Sequence, residues 1–201
     1  GLSMVSFAVD GERGVTDGNV TGGNVPEKVE PSGSVIKSGK CGQYVTYKWY
    51  ENGVVVISGS GAMRNYPNLF HSPHWRCSGC MGCDCCEGRC DHCNGYCVMC
   101  NHPIKSVIVE EGVTSIGSGA FRYCGSLENV TIGDSVTSIA YDAFYYCSNL
   151  KTLTIGKNLS NIGSNAFYNC KIRKVYAYDI TSWLKIKYNG FDSVPTRYGA
   201  T

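Results

Sequence analysis

The sequence predicts a short, mainly β, right-handed solenoid of about four coils of 23 residues each, with a β-hairpin cap before them and a Cys-rich loop inserted between cap and coils. Three observations lead there. Past residue 103 one frame of apolar residues recurs at a 23-residue period, and a Tyr-, Val- and Thr-rich run folded around Asn-Gly precedes it. Between the two sit nine of the thirteen cysteines.

The repeat overrides every local assignment. Cys124, Cys147 and Cys170 are 23 residues apart, and around them recur Leu127-x-x-Val130-x-Ile132 and Leu150-x-x-Leu153-x-Ile155. Ile104-x-x-Val107-x-Val109 precedes these, and Ile172-x-x-Val175-x-Ala177 follows one residue early. Four parallel strands are expected to begin near Ile104, Leu127, Leu150 and Ile172 and to stack in one sheet. Between them run Val113-x-x-Ile116, Val136-x-x-Ile139 and Leu159-x-x-Ile162, each leading to an Ala-Phe pair whose rings, Phe121, Phe144 and Phe167, should align inside. A coil of this length falls in the range of leucine-rich repeats and can bury its Leu, Ile, Phe and Cys only against its neighbours. Strands about 4.8 Å apart bring the three repeat cysteines into a ladder, which reads as core packing because unpaired buried Cys behaves as a small hydrophobe.

The solvent-facing positions of the strands are read as Glu128, Asn129 and Thr131, then Lys151, Thr152 and Thr154, then Arg173, Lys174 and Tyr176, a mixed polar surface of the kind recognition faces carry. Arg122, Tyr145 and Tyr168 form a second ladder at the same period beside Tyr123 and Tyr146. Tyrosines suit contact surfaces because a large, stiff side chain loses little entropy on binding.

Residues 43–57 alternate on both sides of Glu51-Asn52-Gly53, the strongest short hairpin signal. The hairpin's apolar face needs a partner, and the open end of the first coil needs a cap. Ahead of it, residues 1–8 read as the end of a secretory leader, closing on the small residues Ser6 and Ala8, with an ordinary first strand as the alternative. Residues 9–40 have linker composition.

The insertion holds four successive C-x-x-C pairs, Cys77 with Cys80, Cys83 with Cys86, Cys90 with Cys93 and Cys97 with Cys100, with Cys85 left over and His71, His74, His92 and His102 nearby. Each such turn points two thiolates at one centre, and two turns complete the tetrahedral shell of a structural zinc. Two zinc ions follow from the pairs, and three from a metallothionein-like cluster of nine thiolates. With almost no aliphatic residue, the segment would take a metal core in place of a hydrophobic one. Disulfides are the rival for an exported chain, though the vicinal Cys85-Cys86 and the odd count make pairing awkward. An iron-sulfur cluster is a further alternative, on Cys93-x-x-x-Cys97-x-x-Cys100.

Composition excludes several functions. A net charge of +2 with no dense basic run gives nothing to grip a nucleic-acid backbone. No apolar stretch approaches the roughly 20 residues that span a bilayer. All four histidines lie in or beside the insertion, so elsewhere none can act as general base to a nucleophile.

Val113-Thr-Ser-Ile-Gly117, Ala120-Phe-Arg-Tyr-Cys124 and Val136-Thr-Ser-Ile139 resemble the BspA-like leucine-rich repeats of bacterial and protozoan surface proteins. Cys41-Gly42, Trp49 and Gly59-Ser-Gly-Ala-Met63 resemble the β-rich segment that precedes those repeats, and Asp179-Ile-Thr-Ser-Trp183 the capping element that follows. The resemblance implies a non-enzymatic, secreted or surface-displayed adhesion module that binds a protein or glycan and has no catalytic residues to carry over; the Cys-rich segment departs from the family pattern. Five regions result: a leader remnant and linker (1–40), a β cap (41–75), the Cys-rich insertion (76–102), the repeats (103–178) and a C-terminal cap (179–201).

Overall fold

The structure, a computed structural model, describes residues 5–8, 29–65, 103–178, 180–190 and 193–195, with 5–8 and 180 described by their backbone. An antiparallel unit precedes the coils. Strands β2 (Val35–Lys40), β3 (Gly42–Tyr50) and β4 (Val54–Met63) form an antiparallel meander. It turns at Asn52-Gly53, where Gly53 takes a φ of 82° that the Asn-Gly signal anticipates.

Each coil then contributes two strands. The first set, β5 (Ser106–Val109), β7 (Asn129–Ile132), β9 (Thr152–Thr154) and β11 (Lys174–Ala177), forms one parallel ladder. These strands begin two residues after the leading Ile or Leu of each repeat, as the frame Leu-x-x-Val-x-Ile requires if its last two apolar positions point inward. The second set, β6 (Val113–Ile116), β8 (Ser138–Ile139), β10 (Asn161–Ile162) and β12 (Lys187–Tyr188), forms another parallel ladder. The sequence reading placed the Val-x-x-Ile frames correctly as links between strands but did not anticipate that they pair. A five-residue helix α1 (Ile180–Leu184) lies between β11 and β12, with Trp183 buried and its ring 6.1 Å from that of Tyr188.

Strand β4 joins the two ladders. Residues 54–57 pair with β5 and residues 61–62 with β6, so the cap covers the start of both. Gly59 sits at the bend with φ 119°, and a Cβ there would lie 2.1 Å from the Tyr44 carbonyl oxygen. At the other end of the first ladder β1 (Val5–Ala8) runs antiparallel to β11, with Val5 opposite Ala177 and Ala8 opposite Lys174. Of the two readings open for this segment, the structure shows the strand.

The third side of each coil carries no strand but is laddered all the same. The amides of Gly119, Phe121 and Tyr123 donate to the carbonyls of Tyr141, Ala143 and Tyr145 at 2.8–3.0 Å, and those of Asp142, Phe144 and Tyr146 repeat the pattern one coil on. These bonds hold Phe121, Phe144 and Phe167 in a buried stack with centroids 5.2 and 5.3 Å apart and planes 6° from parallel. The repeat cysteines are free thiols, buried as expected of core packing. The thiols of Cys147 and Cys170 donate to the carbonyls of Phe121 and Phe144, each at 3.1 Å. Thus both strands and the strandless side of each coil are tied to the next coil.

Candidate binding surface

Two surfaces present themselves, the outward face of the first ladder and the corner at the end of the third side. On the ladder, register sets out two outward rows. Val54, Ser106, Asn129, Thr152 and Lys174 make one; Val56, Ile108, Thr131, Thr154 and Tyr176 make the other. Asn129, Thr131 and Thr152 are half-buried, Lys174 exposed, and at the mouths of the strands Glu128 is half-buried while Lys151 and Arg173 are exposed. Thr154 and Tyr176 depart from the sequence reading, being only 5% and 7% exposed. Tyr176 is not at an edge at all, because β1 pairs beyond it, with Ser6 as its partner in register. Thr154 in turn lies between Thr131 and Tyr176. Lys151 pairs with Glu128 at 3.1 Å, an exposed pair that tethers adjacent coils.

The corner is more sharply organised. Arg122, Tyr145 and Tyr168 occupy one position of successive coils and stack upon each other. The guanidinium carbon lies 4.7 Å from the Tyr145 centroid, and the Tyr145 and Tyr168 rings are 5.0 Å apart and 13° from parallel. Outside this column stand Tyr123 and Tyr146, 36% and 39% exposed. Tyr123 meets Tyr145 edge-on at 5.7 Å and also touches Tyr146, which leans on Tyr145 at 4.8 Å and Tyr168 at 5.5 Å. Tyr141, 53% exposed, belongs to the same side.

The backbone beneath explains how the rings get there. Two positions of each coil are left-handed. The first holds Gly119, Asp142 and Asn165 (φ 64°, 55° and 54°) and the second Tyr123, Tyr146 and Asn169 (61°, 59° and 56°). Gly, Asp and Asn are the residues this conformation favours, whereas a bulky side chain there pays about 1–2 kcal/mol. Two tyrosines therefore stand where the following coil places Asn.

Arg122 is held from below by Asp142, whose side chain is 3% exposed and whose carboxylate lies 3.5 Å from the guanidinium. Burial raises the Asp142 carboxyl above its ordinary range, and the Arg122 charge opposes that rise. The Arg122 Nη2 group donates to the Tyr123 hydroxyl at 3.3 Å. Asp142 Oδ1 and Arg122 Nε find no hydrogen-bond partner among the described residues. The sequence reading picked out Tyr145 and Tyr168 and missed Asp142 and the strain at Tyr123 and Tyr146. The signal was present as Gly, Asp, Asn at one 23-residue register and Tyr, Tyr, Asn at the other.

All the expected metal ligands, Cys77, Cys80, Cys83, Cys85, Cys86, Cys90, Cys93, Cys97, Cys100, His71, His74, His92 and His102, lie outside the described residues. Among the described residues no three metal-ligating side chains gather in one place, and no helix is long and apolar enough to cross a membrane.

Comparison with known proteins adds the family. Among curated proteins none matches the chain. It is similar to a leucine-rich repeat protein from Eubacterium ventriosum, at 21% identity and a TM-score of 0.43 over 68% of this chain and 36% of that one. A leucine-rich repeat protein from Bacteroides capillosus gives 18% identity and a TM-score of 0.38 over 70% of this chain and 97% of that one. The chain thus spans about a third of the length of the first of these. The model of the BspA type leucine rich repeat region matches residues 95–195 in six copies. With its period, its stacked phenylalanines and its paired coils, the chain belongs to the BspA-type leucine-rich repeat family.

Proposed function

We propose that this chain is a non-enzymatic binding module, secreted or displayed at a cell surface, that recognises a protein or glycan partner through the tyrosine corner and the neighbouring outward face of the first ladder. The observation that carries the reading is the pair Tyr123 and Tyr146, kept in a left-handed backbone that costs stability and places their rings toward solvent. Backbone strain at exposed, pre-packed aromatic side chains is the mark of a surface selected for contact rather than for folding. Immobilised matrix proteins and polysaccharides, probed with the wild type and with the double variant Tyr123→Asn/Tyr146→Asn, test it. The expected result is capture that the variant loses while remaining folded; capture unchanged in the variant removes the corner from the account.

The Cys-rich segment is proposed as a metal-stabilised protrusion, with its four C-x-x-C pairs holding two zinc ions, or its nine cysteines three, and a histidine able to replace a sulfur. The local density of thiols in a segment with almost no aliphatic residue supports this. Disulfides and an iron-sulfur cluster are the competing chemistries. A second reading, in which the metal site is the functional part and the repeats display it, rests on the same cysteines. Native mass spectrometry separates the cases. Bound zinc with thiols freed by chelator supports the metal, a mass lowered by two hydrogens per cysteine pair establishes disulfides, and a brown protein would indicate iron and sulfur.

A further inference from the structure

We propose that the ligand of the tyrosine corner is a neutral, hydroxyl-rich saccharide. The inference rests on the reading of the corner as the binding surface and narrows its ligand class.

The chemistry of the exposed side chains points that way. The large exposed side chains of the corner are Tyr123, Tyr141 and Tyr146, all phenols, with no aliphatic residue among them. A protein hot spot is a desolvated pocket filled by an anchor side chain. Here the inner rings close against one another, at 5.0 Å for Tyr145 and Tyr168, and present an aromatic relief. A ring with an apolar face and a hydroxyl rim matches a pyranose, which has an apolar face of C–H groups and a rim of hydroxyls, so faces can stack while the rims exchange hydrogen bonds.

Charge narrows the class further. Arg122 is the cation within the ring column, and Asp142, buried beneath it at 3.5 Å, offsets its charge. With its guanidinium spread over the Tyr123 and Tyr145 rings at 5.0 and 4.7 Å, Arg122 serves to brace the rings rather than to seek an anion. At Arg122 a sulfated or sialylated chain would find a charge already offset, and a cationic ligand would meet the guanidinium. The bracing also means that little side-chain freedom is lost when a ligand arrives.

Affinity electrophoresis through gels containing a mannan, a galactan, a β-glucan or heparin, each alone, tests the proposal on the full chain. Retardation by at least one neutral polysaccharide and none specific to heparin is expected. Tyr146→Asn should weaken it about tenfold, the usual value of one aromatic contact. Because Asn suits the left-handed position better, that variant should unfold at an equal or higher urea concentration, which a merely structural tyrosine would not do. Phe substitutions separate stacking from hydroxyl contacts: Tyr146→Phe should retain part of the binding. Retardation by heparin alone, or by none of the four, overturns the saccharide assignment. If matrix proteins are nevertheless captured and Tyr123→Asn/Tyr146→Asn abolishes capture, the corner stands as a protein-binding surface and only the ligand class falls. Saccharide binding that survives the double variant overturns the location.

Discussion

Replacing Phe144 with Ala gives the most direct test of the coil register. The ring is fully buried and stacked on both faces, against Phe121 at 5.2 Å and Phe167 at 5.3 Å. Truncation of a buried Phe costs about 3–5 kcal/mol in transfer and cavity terms, and each lost ring pair adds about 0.5–1.5 kcal/mol beyond area. Phe144→Ala should therefore fall at the upper end of that range, about 4–5 kcal/mol. Phe121→Ala and Phe167→Ala, each losing one of these two contacts, should cost less. Urea titration followed by far-UV circular dichroism reads the difference. In a repeat array stability is a sum of coils and their interfaces. Weakening the central interface can thus split a single transition into two, and a fall in apparent m-value is the sign to look for. A loss under about 2 kcal/mol for Phe144→Ala, against the range for a buried ring, would show that these side chains do not form the column described here.

Other consequences can be checked as directly. Cys41, Cys124, Cys147 and Cys170 should resist alkylation in the folded protein and react in urea, since burial pushes the Cys41 thiol up to about 12 and raises Cys147 well above its ordinary value; peptide mapping that finds any of the four labelled quickly would contradict their burial. Glu111 is held below its ordinary range by the Ser135 hydroxyl and the Asp134 amide, and Asp134 by the Lys157 amide. Both carboxylates are depressed in the fold, so their contribution is present above the unfolded-state pKa and is lost as pH falls through the folded one. Stability should fall across and below the usual carboxylate range, and Glu111→Gln/Asp134→Asn should flatten that fall in thermal melts; an unchanged profile would remove these ladders from the acid response. Deleting residues 41–63 uncovers the first strand of both ladders, and the remainder should aggregate in size-exclusion chromatography, whereas a soluble monomer would show that the hairpin is dispensable.

The fold was legible because its period was. Cys124, Cys147 and Cys170 mark one position of three coils, and once they align, the burial of Leu127, Leu150 and Phe144 follows from arithmetic. Pairing between Ile116, Ile139 and Ile162 was not legible, since two-residue strands carry no alternation to detect. Tyr176 and Thr154 were misjudged for a different reason. Alternation says which way a side chain points but not what lies beside it, and the strand that makes Tyr176 interior comes from about 170 residues earlier in the chain. The corner was half legible. A tyrosine ladder shows in the sequence, but the left-handed backbone that gives Tyr123 and Tyr146 their interest becomes visible only when Asn169 is seen in the same position.

Strand β4 sets one further constraint. Because residues 54–57 pair with one ladder and residues 61–62 with the other, a single strand fixes the phase of both, and Gly59 is the joint between them. Inserting or deleting one residue at 58–60 would slip one half of β4 by a residue against the strand it covers, turning the inward side chains of that half outward. Whole coils beyond β5 and β6 could be added or removed without disturbing that phase. The array is therefore free to vary in length at the far end and is locked in shear at the near one, which confines the variation available to its binding face to the number and surface of its coils.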